Sequence, residues 1–139
     1  MAVHTSTFHI STRGMCDIHD ITGQVEKGLQ STGLRAGILC VFVSGSTAGI
    51  TSIEFEPGAV SDLKKAIEKL APTNIHYDHD AKWGDGNGFS HVRAALLGSS
   101  FSVPFSGGRM LLGTWQQVVL VDFDNRSRNR EVVVQIVGE

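Results

Sequence analysis

Apolar positions along the chain change their period several times, and each change marks an element. From Val3 to Thr12 they alternate, with Phe8 and Ile10 on one side and Thr7, His9 and Ser11 on the other, the period of a half-buried strand. Between Asp20 and Ser31 the spacing becomes four, and Ile21, Val25 and Leu29 form a helical stripe that ends at Gly33. Gly37–Val43 is a continuous aliphatic and aromatic run, which predicts a central strand. Alternation returns over Ile50–Glu56, where Ile53 and Phe55 oppose Ser52, Glu54 and Glu56. Leu63, Ile67 and Leu70, with Ala66 beside them, predict a second helix stopped by Pro72.

The segment His76–Gly88 is polar and rich in glycine, which predicts a long loop; Phe89–Leu97 suits a short helix ended by Gly98. Strand patterns then follow one another at Phe101–Phe105, Arg109–Leu112, Gln116–Phe123 and Glu131–Val137. Gly107-Gly108 predicts a tight hairpin turn, and Asp124–Asn129 the turn between the last two strands. Helices interleave with strands early and strands run consecutively later. That order predicts an α+β domain over residues 1–139, with a mostly antiparallel sheet and two or three helices.

Composition narrows the classes. At 139 residues and a net charge of −2, with 41% hydrophobic residues, the chain is neither disordered nor long enough for two full domains. No apolar run approaches the roughly 20 residues of a membrane span, and the near-neutral charge argues against a dedicated nucleic-acid surface. Cys16 and Cys40 form no CxxC motif, and Cys40 reads as a buried thiol within its apolar run. With no basic-then-apolar leader pattern, a reducing cytoplasmic location is expected. The one unusual count is 16 glycines, where average usage gives about ten.

Three stretches carry candidate chemistry. His76–Asp85 gathers two histidines and three aspartates around Lys82 and Trp83, a set suited to a divalent cation or to proton transfer near neutrality. The same residues also suit a solvated loop whose aspartates cap turns. His91 lies one turn into the following helix and can point back at the loop. The second stretch, Ser44–Gly49, offers hydroxyls and backbone amides to an anion, or is an ordinary turn between strands. The third, Gly107–Gln116, holds Arg109, a fork for phosphate, and Trp115, either a stacking surface or core. Arg126, Arg128 and Arg130 cluster in the last turn, as a solvated hairpin end or as an anion or subunit contact. No nucleophile motif such as GxSxG is present.

Ser46-Thr47-Ala48-Gly49-Ile50-Thr51 with Glu54, Tyr77-x-His79-Asp80, Asp85-Gly86-Asn87-Gly88 with His91, Leu112-Gly113-Thr114-Trp115-Gln116 and Val134-Gln135-x-Val137-Gly138-Glu139 occur in one order. Together they resemble the YjbQ family, also called the secondary thiamine-phosphate synthase family. The resemblance implies a compact α+β fold with a sandwich-like core, a homotrimer, and a weak thiamine-phosphate synthase activity. In that reaction a thiazole phosphate displaces pyrophosphate from a hydroxymethylpyrimidine diphosphate. It also implies a histidine-rich pocket for a metal or oxyanion, or a metal- or phosphate-binding role without catalysis.

Carried onto this chain, the resemblance assigns His79, His91 and Asp85 as catalytic residues. Ser46, Thr47, Lys82, Trp83, Arg93, Arg109 and Trp115 would bind the phosphorylated substrate. His79, Asp80, Asp85 and His91 would be the metal ligands. Gly45 stands where the family often has His before Ser-Thr-Ala, and Phe89-Ser90-His91 where it often has His-x-His. With His79 and His91 alone matching, the expectation shifts from Zn²⁺ toward Mg²⁺, or toward no metal.

Overall fold

The computed structural model describes residues 1–139. The chain runs β1 (Ala2–Thr12), β2 (Asp17–Asp20), α1 (Thr22–Gln30), β3 (Ala36–Val43), β4 (Ala48–Ile53), α2 (Pro57–Leu70), α3 (Asp78–Trp83), α4 (Gly88–Leu97), β5 (Ser100–Ser106), β6 (Arg109–Met110), β7 (Gln117–Asp122) and β8 (Arg128–Gly138). One antiparallel sheet has the order β1-β8-β3-β5-β6 and the other the order β2-β7-β4. No helix is long and apolar enough to cross a membrane.

The sheets pack face to face. Leu39, Val41 and Val43 of β3 and Val132, Val134 and Ile136 of β8 share one buried cluster with Val118 and Leu120 of β7 and Ile50 of β4. The helical stripe of Ile21, Val25 and Leu29 joins that cluster. A second cluster lies behind the smaller sheet, where Val119, Val121 and Phe123 meet Ile67 of α2 and Ala94 of α4. Strand β7 is therefore buried on both faces, which explains why its apolar run does not alternate.

The continuous run in β3 has a different cause. β3 is central in its sheet, but only alternate residues face the core, and Ile38 and Phe42 are 52% and 41% exposed on the outer face. Gly37 and Gly138 pair in register beneath the Phe105 ring. A Cβ at Gly138 would fall 2.3 Å from the Ala36 carbonyl oxygen, so this crossing admits no side chain.

The predicted long loop contains α3, giving four helices rather than two or three. None of its residues is buried, so it has no apolar stripe; Asp78 and Asp80 in its first turn and Lys82 in its last complement the helix dipole. Strand β2 was too short to show a period. The strand expected at Arg109–Leu112 pairs only at Arg109 and Met110, after the Gly107-Gly108 turn that the sequence predicts. β7 and β8 are not hairpin partners: the segment between them passes from one sheet to the other.

That passage locates the site. Three crossovers between the sheets, β1 to β2, β3 to β4 and β7 to β8, meet at one end of the sandwich. The register shows this directly: Thr12 pairs with Arg128 in the larger sheet, while Asp17 and Ala48 both pair with Asp122 in the smaller.

Candidate functional site

Where the crossovers meet, the core turns polar in phase with its own alternation. On β8 the inward series Ile136, Val134 and Val132 continues as Arg130 and Arg128. The matching series on β7, Val118 and Leu120, continues as Asp122 and then Asp124 just past the strand. Burying unpaired charge there would be costly, and the pairing is complete.

Arg130 Nε donates to Asp122 Oδ2 at 2.6 Å and Nη2 donates to Oδ1 at 2.9 Å. Nη2 also donates to Thr47 Oγ1 at 2.7 Å, and Thr12 Oγ1 donates to Asp122 Oδ2 at 2.5 Å. Arg128 Nε and Nη2 both lie 2.7 Å from Asp124 Oδ2, which also accepts from Thr47 Oγ1 at 3.1 Å. Burial pushes the Asp124 carboxyl up, but hydrogen bonds from the Asn125 amide, Asn87, Arg128 and Thr47 outweigh it and bring it down to about 2.

Above this floor opens a cleft of about 520 Å³, lined by Gly45–Thr47 of the β3–β4 crossover, His79 and Trp83 of α3, Asp85 and Asn87 before α4, His91, and Arg128 and Arg130. A second hollow of about 310 Å³ adjoins it and shares Gly45, Ser46 and His91. Asn87 links floor to wall. Its Nδ2 donates to Asp124 Oδ1 at 3.2 Å, which leaves Oδ1 facing His79 Nε2 at 3.1 Å. Asp85 Oδ1 lies 3.3 Å from the same nitrogen. Two acceptors around Nε2 assign the proton to it and leave Nδ1 free to exchange a proton. The rings of His79 and His91 lie 4.4 Å apart, tilted by 54°.

Of the sequence-expected residues, Ser46, Thr47, His79, Trp83, Asp85 and His91 line this one cleft. Thr47 is buried in the floor network, so its hydroxyl is engaged before any ligand arrives. Asp80 is turned away: its Oδ1 accepts from the Gly88 amide at 2.7 Å and secures the start of α4. Lys82 lies 5.4 Å over the Trp83 ring, outside the lining. Arg93 is no phosphate partner. It is buried against the Phe89 ring, donates to the Ala71 carbonyl and is paired with Glu68.

Arg109 sits beside Arg35 and the Gly107-Gly108 turn, at the opposite end of β3 from Gly45. Eight residues of β3 put it about 26 Å away. Trp115 is 71% exposed and outside the cleft. No group of three or more His, Cys, Asp or Glu side chains is placed to hold a metal ion, so the expected four-ligand set does not form a metal cage within this chain.

Asn87, Asp122 and Asp124 are the site residues that the sequence does not single out by residue type, and Arg128 and Arg130, expected as a hairpin end or an anion or subunit contact, line the cleft. The signal was the charge at inward positions of two apolar strands, Val118-x-Leu120-x-Asp122-x-Asp124 and Arg128-x-Arg130-x-Val132-x-Val134.

The fold and site thus define a two-sheet α+β protein whose sandwich is closed at one end by buried ion pairs under a polar, arginine- and histidine-lined cleft. A family model described as UPF0047 protein YjbQ-like matches residues 6–139, and the chain belongs to that family. It is 39% identical to a UPF0047 protein of Methanothermobacter thermautotrophicus over 139 residues, all of this chain and 95% of that one. It is 31% identical to the UPF0047 protein YugU of Bacillus subtilis, over 95% of this chain and 98% of that one. A solved YbjQ-like protein of unknown function from Sulfolobus solfataricus matches with a TM-score of 0.94 at 32% identity, over 99% of each chain.

Proposed function

We propose that the cleft binds the diphosphate of a small heteroaromatic substrate and promotes its displacement, a transfer of the thiamine-phosphate synthase type. The observation that carries this reading is the convergence in one cleft of two arginines, a histidine pair and the exposed ring of Trp83. The arginines would stabilise the leaving diphosphate, and Trp83 would stack the pyrimidine.

In the transfer, the bond from the pyrimidine methylene carbon to the diphosphate oxygen breaks and its electron pair leaves with pyrophosphate. The thiazole nitrogen lone pair forms the new C–N bond, and that nitrogen becomes cationic. No protein nucleophile is required. His79, once Nδ1 has taken up a proton from solvent, would pass it to the departing pyrophosphate.

The test is to mix the pure chain with hydroxymethylpyrimidine diphosphate, thiazole phosphate and Mg²⁺, the usual companion of diphosphates, and to follow pyrophosphate. Saturable release that falls in His79→Ala is expected, and absence of turnover overturns the transfer. A second reading, a phosphate-ligand binder without catalysis, is favoured by His91, whose ring touches His79 but takes no part in the hydrogen-bond network of the floor. In that case inorganic pyrophosphate binds and nothing turns over.

The family resemblance also makes a homotrimer part of this proposal. The outer face of the larger sheet supports self-association: exposed Val3 pairs with Val137, which pairs with exposed Ile38. Light scattering should return three times the 15.0 kDa chain mass, and a monomer overturns it. Two free cysteines fit a reducing cytoplasm.

A further inference from the structure

Arg130 is 7% exposed, and three of its five N–H donors are engaged within the protein. Nε–H goes to Asp122 Oδ2, and the two Nη2 hydrogens go to Asp122 Oδ1 and Thr47 Oγ1. Nη1 takes no part in that network, and both of its hydrogens remain. It lies against Gly45, at the rim of the cleft: a Cβ built on Gly45 would stand 2.9 Å from Nη1. Gly45 also has φ +112°, where an L side chain is strained.

We infer that Gly45 is a window onto buried Arg130, through which Nη1 contacts one oxygen of a phosphoryl group, and that this geometry selects diphosphates over dicarboxylates. The inference rests on the anion-binding reading of the cleft and names what that reading leaves open, the residue that admits the diphosphate and the discrimination against dicarboxylates.

The selection follows from what remains on the guanidinium. A planar carboxylate is held best by two nitrogens along one guanidinium edge. On Arg130 the Nε–Nη2 edge is occupied by Asp122, and the last Nη2 hydrogen by Thr47, so no two-nitrogen edge is left. A single nitrogen suits a tetrahedral oxyanion, which collects one-point contacts from several directions.

Arg128, held by Asp124 through Nε and one Nη2 hydrogen, keeps Nη1 for a second contact, so the discrimination rests on Arg130 alone. As successive inward residues of β8 the two arginines are spaced by about 7 Å, within the reach of the two phosphoryl groups of one diphosphate. A side chain at position 45 would cover the deeper of the two contacts.

Calorimetry with inorganic pyrophosphate and with malonate tests this without reference to turnover, on the wild-type chain, Gly45→Ala and Gly33→Ala. Gly33 also has a positive φ, +71°, and open space around it, so its substitution brings backbone strain without a steric clash, far from the cleft. Wild type should bind pyrophosphate more tightly than malonate. Gly45→Ala should lose roughly tenfold or more, the worth of one charge-assisted hydrogen bond, while Gly33→Ala binds as wild type.

Equal affinity for malonate, or a folded Gly45→Ala that binds pyrophosphate as wild type, overturns the inference. Should Gly45→Ala fail to fold, ¹⁵N NMR of the wild type decides. Pyrophosphate must shift the Arg130 side-chain and Gly45 amide resonances, and if both stay still the inference is wrong. If no anion binds at all, the reading of the cleft fails with it. Binding as expected without turnover leaves this inference standing and removes only the transfer step.

Discussion

Arg130 and Asp122 face each other from different sheets in a two-point ion pair, Nε to Oδ2 at 2.6 Å and Nη2 to Oδ1 at 2.9 Å, with both side chains buried. This pair ties the sandwich together where its apolar core ends. Removing one partner strands the other charge away from water. Asp122→Ala should therefore lower the unfolding free energy by about 3–5 kcal/mol, read from urea denaturation. Replacing both, as Asp122→Leu with Arg130→Met, should be less harmful than the single change while abolishing anion binding. If Asp122→Ala unfolds within about 1 kcal/mol of wild type, the pair is not what closes this end.

Asp124 makes stability depend on acid. Its carboxyl is held at about 2 in the folded chain against an ordinary 3.8, so its contribution is complete above 3.8 and is lost as pH falls through about 2. The depression corresponds to about 2 kcal/mol, withdrawn over the window from about pH 4 to about pH 2. Asp17, also lowered, acts in the same direction. Urea midpoints across that range should fall steeply for wild type and less steeply for Asp124→Asn. Parallel curves would remove Asp124 as the source.

Asn87 is a positioning residue. It connects Asp124 to His79, fixing which imidazole nitrogen carries the proton, and contacts no reacting atom. Under the proposed transfer, Asn87→Ala should lower kcat on the order of tenfold, a fraction of the 10²–10⁴ that general acid–base catalysis contributes. KM for the diphosphate should change little, because both arginines stay pinned by their aspartates. A rise in KM with kcat unchanged would show that Asn87 serves binding alone.

Much of this arrangement was legible in the chain. Helix α1 and the β5–β6 turn follow from Ile21, Val25 and Leu29 and from Gly107-Gly108, because local period and turn chemistry decide them. The cleft-lining histidines and the Ser46-Thr47 turn were also readable, since imidazoles among carboxylates and hydroxyls between glycines are patterns suited to proton transfer and to anion contact. The floor was not. Asp122 and Arg130 are eight residues apart and looked like opposite sides of one hairpin, whereas their strands belong to different sheets. Pairing across a sandwich is non-local, and no periodicity within either strand encodes it. Arg93 misled for the opposite reason. A charged residue on a helix usually marks a solvated face, yet here Glu68 and the Ala71 carbonyl bury it behind α2.

The two ends of β3 give the sharpest contrast between residue type and position. Arg109 and Arg128 are both exposed enough to meet an anion, and both lie near turns, but only Arg128 lines the cleft with the histidines. Arg109 stands beside Arg35, with no carboxylate to orient it and the whole of β3 between it and Gly45. At about 26 Å, several times the Debye length of about 8 Å at physiological salt, its charge is screened from a ligand bound at Arg130. Arg109→Ala should therefore leave pyrophosphate affinity and turnover unchanged. Arg128→Ala should weaken pyrophosphate binding roughly tenfold and flatten its salt dependence. Calorimetry at two ionic strengths separates the cases. An equal loss in both variants would mean that the anion site extends along the sheet or is completed by Arg109 from a neighbouring copy of the chain.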